Sequence, residues 1–149
     1  MTALLVTLLA PVIGAPLLAL LRDPLAGWLN VAISALSLAA AAALAHEVAA
    51  TGSVAGFGFR VDDFNVYLVV LTTLVGLTTA IFSRPYMRHV AASGRVGGSG
   101  LRIYHAMYQA FLFTMLLALT TDNLGILWVA VEGATLTTVL LVSLYRTPE

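Results

Sequence analysis

Charge in this chain comes as punctuation between long uncharged runs. Residues 1–21 carry none and are closed by Arg22-Asp23, and residues 24–45 carry none and end at His46-Glu47. Residues 64–83 lie between Asp63 and Arg84, and residues 103–121 between Arg102 and Asp122. Residues 123–145 run up to Arg146 with Glu132 as the single interruption. A helix needs roughly 20 apolar residues to cross a hydrocarbon core of about 30 Å, and each run has that length. Without water to satisfy backbone N–H and C=O groups, a span is a helix or belongs to a closed barrel. Barrel strands alternate apolar and polar positions over about ten residues, and none of these runs alternates. The spacing predicts an all-α, polytopic membrane protein. Its single membrane domain, residues 1–149, has five transmembrane helices at about 2–21, 25–45, 64–83, 103–121 and 123–145.

Composition excludes the alternatives. The chain is 60% hydrophobic and 9% charged, with a mean hydropathy of +0.99. A soluble domain carries about 25% charged residues, and a chain this apolar has too little polar surface to stay dispersed in water. Disorder and nucleic-acid binding fall with the same numbers, and the absence of cysteine removes a disulfide scaffold. The expected partners are the lipid bilayer and other membrane proteins, with no nucleic acid. The first run is not a signal peptide, since no basic residue precedes Arg22 and Pro11 and Pro16 interrupt it. It is expected to stay as the first helix, kinked near those prolines.

All seven basic residues are arginine, and there is no lysine. Alternating the loops across the membrane puts Arg22, Arg84, Arg88, Arg95, Arg102 and Arg146 on one side and Arg60 on the other. The positive-inside bias then places the N-terminus outside and the C-terminus in the cytoplasm, in a multi-pass protein of the cytoplasmic membrane. Arg22-Asp23-Pro24 reads as a tight turn. The segment 84–102, with Gly94, Gly97, Gly98 and Gly100, reads as a solvated tether without internal structure. Residues 46–63 read as a loop.

Within the spans, Asn30, Ser34, Ser37 and Ala41 form one small or polar stripe at helical spacing, and Thr72, Gly76, Thr79 and Ser83 form another. Small residues let helices approach closely and hydroxyls bond across the interface, so these stripes read as packing surfaces. Glu132 is different. It sits near the middle of the fifth span, where a charged side chain costs on the order of 2.5–3.5 kcal/mol on insertion scales. Such a residue is expected to face the bundle interior and to pair or exchange protons, with Trp128 and Thr135 on its face. The structural alternative is a protonated carboxyl that only holds helices together. On the fourth helix, His105 and Gln109 lie one turn apart beside Tyr104 and Tyr108. His105 is suited to relaying protons, although His and Tyr at a span's end also serve as interfacial anchors. His46 and His89 fall in loops. Three scattered histidines and no cysteine give no metal site, and no residue reads as catalytic.

The run Phe113-Thr-Met-Leu-Leu-Ala-Leu-Thr-Thr-Asp-Asn-Leu-Gly-Ile-Leu-Trp-Val-Ala-Val-Glu132-Gly-Ala-Thr-Leu resembles the proton-translocating core of antiporter-like membrane subunits. These occur in NADH–quinone oxidoreductase (complex I), Mrp-type sodium/proton antiporters and membrane-bound [NiFe] hydrogenases, and the likeness is strongest to the hydrogenase-4 (formate hydrogenlyase) branch. Asn123 to Leu136 and Ser83-Arg-Pro-Tyr-Met carry it. The resemblance implies that Glu132 pairs with a lysine on a later, broken helix, and that His105 serves the cytoplasmic side of a proton path. It implies a non-catalytic membrane subunit, with no cofactor in this chain and redox groups on other subunits. Family members have many more helices than five, and Arg146-Thr147-Pro148-Glu149 reads as a helix start. The chain is therefore expected to be the N-terminal part of such a subunit, with a separate chain as one source of the remaining helices. A structural or accessory subunit, or a truncation product without transport activity, stands as the alternative.

Overall fold

The computed structural model describes residues 1–21, 25–94, 96 and 98–144. In order, these form α1 (Thr2–Leu20), α2 (Leu25–Thr51), β1 (Ser53–Gly56), β2 (Phe59–Asp62), α3 (Asp63–Ala92), α4 (Gly98–Thr120) and α5 (Leu124–Ser143). All five helices are long and apolar enough to cross a membrane. The turn Arg22-Asp23-Pro24, the residues Arg95 and Gly97, and Tyr145–Glu149 with the expected helix start lie outside the described residues.

Two helices outrun their uncharged cores. α2 continues past His46 and Glu47 to Thr51, and α3 continues past Arg84 and Arg88 to Ala92. At 30 residues and 1.5 Å per residue, α3 is about 45 Å long, more than the hydrocarbon needs. A charge ends the apolar run but not the helix, because beyond the core a helical backbone loses nothing by carrying Arg or His. His46 and His89 are thus helical rather than in loops, and Gly98 and Gly100 open α4 instead of extending a tether. In α1, Pro11 and Pro16 both lie inside one uninterrupted helical segment, Pro11 on its buried face.

The segment 46–63 is not a loop either. β1 and β2 pair antiparallel, in the register Ser53↔Asp62 to Gly56↔Phe59. Phe57 and Gly58 turn the chain with φ of 55° and 81°, the two positive values that a two-residue type I′ hairpin turn requires. Val54 and Val61 point the buried face of this hairpin into a core with Leu4, Leu8, Leu44, Val48, Val69, Leu112 and Leu116. The hairpin therefore lids one end of the bundle. It is tied down at the α4–α5 turn, where Asp122 N–H donates to Gly58 O at 2.9 Å and Phe59 bridges Thr121. Asn65 completes the lid. Its amide donates to Arg60 O (2.8 Å) and Leu119 O (3.1 Å), while its oxygen accepts from Asp62 N–H in a capping box that starts α3.

α4 is the hub of the bundle, packed against α1, α2, α3 and α5. At the end opposite the hairpin, Met87, Val90, Val96 and Leu101 close the α3–α4 connection. α5 lies outermost and packs on α4. Only Ala130 and Thr137 are buried along its length.

Candidate functional site

Asn123 starts α5 by accepting from the N–H groups of Gly125 (2.9 Å) and Ile126 (3.2 Å). Eight residues into the helix, about 12 Å along the axis, stands Glu132. α5 meets α4 closely at Gly133, where a Cβ would come within 3.0 Å of Thr114 Cγ2. Glu132 is exposed on the side of α5 turned away from the α4 contact, and its face-mates Trp128 (68% exposed) and Thr135 are exposed as well, Thr135 along a groove shared with Phe111 and Met115 of α4. Among the described residues no ion pair or hydrogen bond reaches its carboxylate. The expectation that Glu132 faces the interior fails for these five helices, since the residues that let α5 approach α4, Ala130, Gly133 and Thr137, lie on its other side.

His105 is 2% exposed inside the bundle, edge-on to the Tyr104 ring at 5.4 Å. It precedes Thr114 by nine residues, so about 13 Å of helix rise separates its level from that of Glu132. The two residues are not brought together. His105 belongs instead to a buried polar seam. One turn further along α4, Gln109 Nε2 donates across to α2, to Asn30 Oδ1 (2.7 Å), Asn30 O (3.2 Å) and Ser34 Oγ (3.0 Å). Asn30, Ser34 and Gln109 are all fully buried.

The stripes are mixed in what they do: Ser34 accepts from Gln109 across the α2–α4 interface as expected, while Ser37 and Ser83 also donate to carbonyls of their own helices. The bonds that do cross come from longer side chains, Gln109 and Tyr108. The Tyr108 hydroxyl donates to Gly76 O at 2.6 Å, where the missing Cβ lets α4 approach α3.

Charge is segregated by end. Glu47, Asp62, Asp63 and Asp122 gather at the hairpin end with Arg60, whose Nε lies 3.8 Å from Asp122. Arg84, Arg88 and Arg102 lie at the opposite end. Arg84 is stacked over Trp28 at 3.9 Å, a cation–π contact made possible by Gly27 beneath its side chain.

These features define a class, a multi-pass helical membrane protein with an acidic side chain halfway along its outermost span. Sequence comparison gives the relatives. Residues 49–95, the end of α2 with the hairpin and α3, match the N-terminal family of chain 5 of NADH-ubiquinone oxidoreductase (complex I). Over 143 residues, 95% of the chain, the sequence is 42% identical to the hydrogenase-4 component F homolog of Methylacidiphilum infernorum (isolate V4). The chain is thus similar to membrane subunits of both kinds, to the complex I chain 5 N-terminus over residues 49–95 and to a hydrogenase-4 component F homolog over nearly all of its length. It spans 29% of the length of that relative. The complex I match falls on a segment other than the Phe113–Leu136 run that carries the resemblance in the sequence.

Proposed function

We propose that this chain is part of a membrane subunit of an energy-converting redox complex, of the hydrogenase-4 or NADH–quinone oxidoreductase kind, and that Glu132 is an exchangeable carboxylate in its redox-coupled proton translocation. One observation carries the reading. Glu132 stands midway along α5 on the face that α1–α4 leave uncovered. An ionised carboxylate in hydrocarbon needs a partner, and among the described residues these helices supply none. The partner then belongs to helices outside α1–α5. A basic residue there, in a family whose mechanism pairs this glutamate with lysine, fits a chain that contains no lysine. A carboxylate and a cation that close and open across one interface can take up and release a proton. On this reading His105, buried at the arginine-bearing end, serves the cytoplasmic side of the path. With six of seven arginines expected at that end, the N-terminus lies outside. Redox cofactors lie on other subunits.

The test is Glu132→Gln in the assembled complex, reconstituted into vesicles, with proton uptake measured against electron transfer. Gln keeps the size and hydrogen bonding of the side chain and removes its charge. Pumping per electron is expected to fall at least about tenfold while the complex still assembles. Unchanged pumping would leave Glu132 as a helix-bonding group only.

A further inference from the structure

The Asn30–Gln109 pair has more hydrogen-bonding capacity than the protein satisfies. Gln109 Nε2 faces three acceptors, Asn30 Oδ1, Asn30 O and Ser34 Oγ, and a primary amide has two hydrogens to give. Meanwhile Gln109 Oε1 and Asn30 Nδ2 are both buried and have no partner among the described residues.

Rotating the amides does not remove the problem. If Gln109 alone is turned over, its oxygen comes to the position 2.7 Å from Asn30 Oδ1, two acceptors in contact. If both are turned over, Asn30 Nδ2 donates to Gln109 Oε1, and Gln109 Nε2 and Asn30 Oδ1 take over the two unpartnered positions. Either assignment leaves one buried atom of each amide without a hydrogen-bond partner among the described residues. A buried amide atom without a partner forfeits the hydrogen bond it makes to water in the unfolded chain, and here there are two. Ser37, one turn beyond Ser34 on α2, turns its hydroxyl onto its own backbone at Ile33 O.

We propose that the α2–α4 interface is an internal water site, with one or two water molecules held by the second amide atoms of Asn30 and Gln109. Water is the ligand that fits, because it both donates and accepts. It therefore satisfies an orphaned carbonyl oxygen and an orphaned amide nitrogen whichever way the two side chains are turned. Ser34, already bonded to Gln109, fixes the orientation of the cluster from the α2 side. The site lies one helical turn from His105 on α4, so the polar seam of the bundle is hydrated next to its buried histidine. This inference does not rest on the role given to Glu132.

The direct test is a map of the subunit in its complex at a resolution that shows ordered water. Density is expected at about 2.7–3.2 Å from the second amide atom of Asn30 or Gln109, and from both if one molecule bridges them. A map in which both amides are satisfied by protein groups, with no ordered solvent between α2 and α4, would overturn the site. The double variant Asn30→Leu/Gln109→Met, nearly equal in volume, is expected to lose the density while remaining folded. Density that persists unchanged in that variant also overturns the assignment, since the amides would not be holding it. Should the double variant fail to fold, the wild-type map alone decides.

Discussion

Asn65 is the residue on which the lid of the bundle most depends, and replacing it by Ala puts a number on that dependence. The side chain makes three bonds to two elements, β2 and α4: it accepts from Asp62 N–H at 2.6 Å, and donates to Arg60 O at 2.8 Å and to Leu119 O at 3.1 Å. A neutral hydrogen bond contributes about 0.5–1.5 kcal/mol net, and the two local bonds here are exposed, which puts them at the low end. The bond to Leu119 is partly buried and joins residues 54 apart in sequence, so its loss frees the end of α4 as well. The sum is about 2 kcal/mol. Asn65→Asp should cost at least as much. It keeps the acceptor for Asp62 N–H but sets a carboxylate oxygen against two carbonyls, beside Asp62 and Asp63. Asp122→Asn is the comparison. The Arg60–Asp122 pair is long at 3.8 Å, and both side chains are more than half exposed (58% and 61%), so its loss should cost less than about 0.5 kcal/mol. Reversible unfolding of the full chain in mixed detergent micelles measures all three variants, and hydrogen exchange at Val61 and Asp62 reports the hairpin directly. An Asn65→Ala variant within about 0.5 kcal/mol of wild type, with hairpin exchange unchanged, would refute the reasoning.

Other substitutions test separate contacts. In Gly14→Ala the new Cβ would lie 2.7 Å from Ile33 Cδ1, so the variant should lose about 1–3 kcal/mol; adding Ile33→Val, which removes that atom, should recover most of it. Gly76→Val should unfold at lower denaturant than Gly76→Ala, because a Cβ there already stands 3.0 Å from Leu112 Cδ1 on α4. Phe57→Asn should slow exchange of the hairpin amides, since Asn tolerates the positive φ of 55° that Phe adopts at cost.

Much of the architecture is legible in the sequence. The number of spans follows from run length because the transfer of a helix into hydrocarbon sums over its own residues. The hairpin escapes that reading, although its signals are present: Gly56-Phe57-Gly58 marks a turn, and Phe59-Arg60-Val61-Asp62 alternates apolar and polar. The charges at Glu47, Asp62 and Asp63 speak for a solvated segment more loudly than four residues of alternation speak for a strand. The same weighting shortens α2 and α3, since a charge closes a hydrophobic run without closing a helix. Asn30 and Gln109 each stand out, one in a packing stripe and the other beside His105. Their meeting across α2 and α4 lies beyond any periodicity, being a contact between residues 79 apart.

The sequence by itself determined that residues 1–149 carry five membrane-spanning runs, with a carboxylate midway along the fifth, because hydropathy and length are local and additive. Tertiary structure decided where those side chains look. The small residues that let α5 approach α4 lie on the opposite side of the helix from Glu132, so the carboxylate faces outward from these five helices. The amides of Asn30 and Gln109, no more polar, were sealed in between helices. Direction is a property of packing, and packing depends on which faces fit against which.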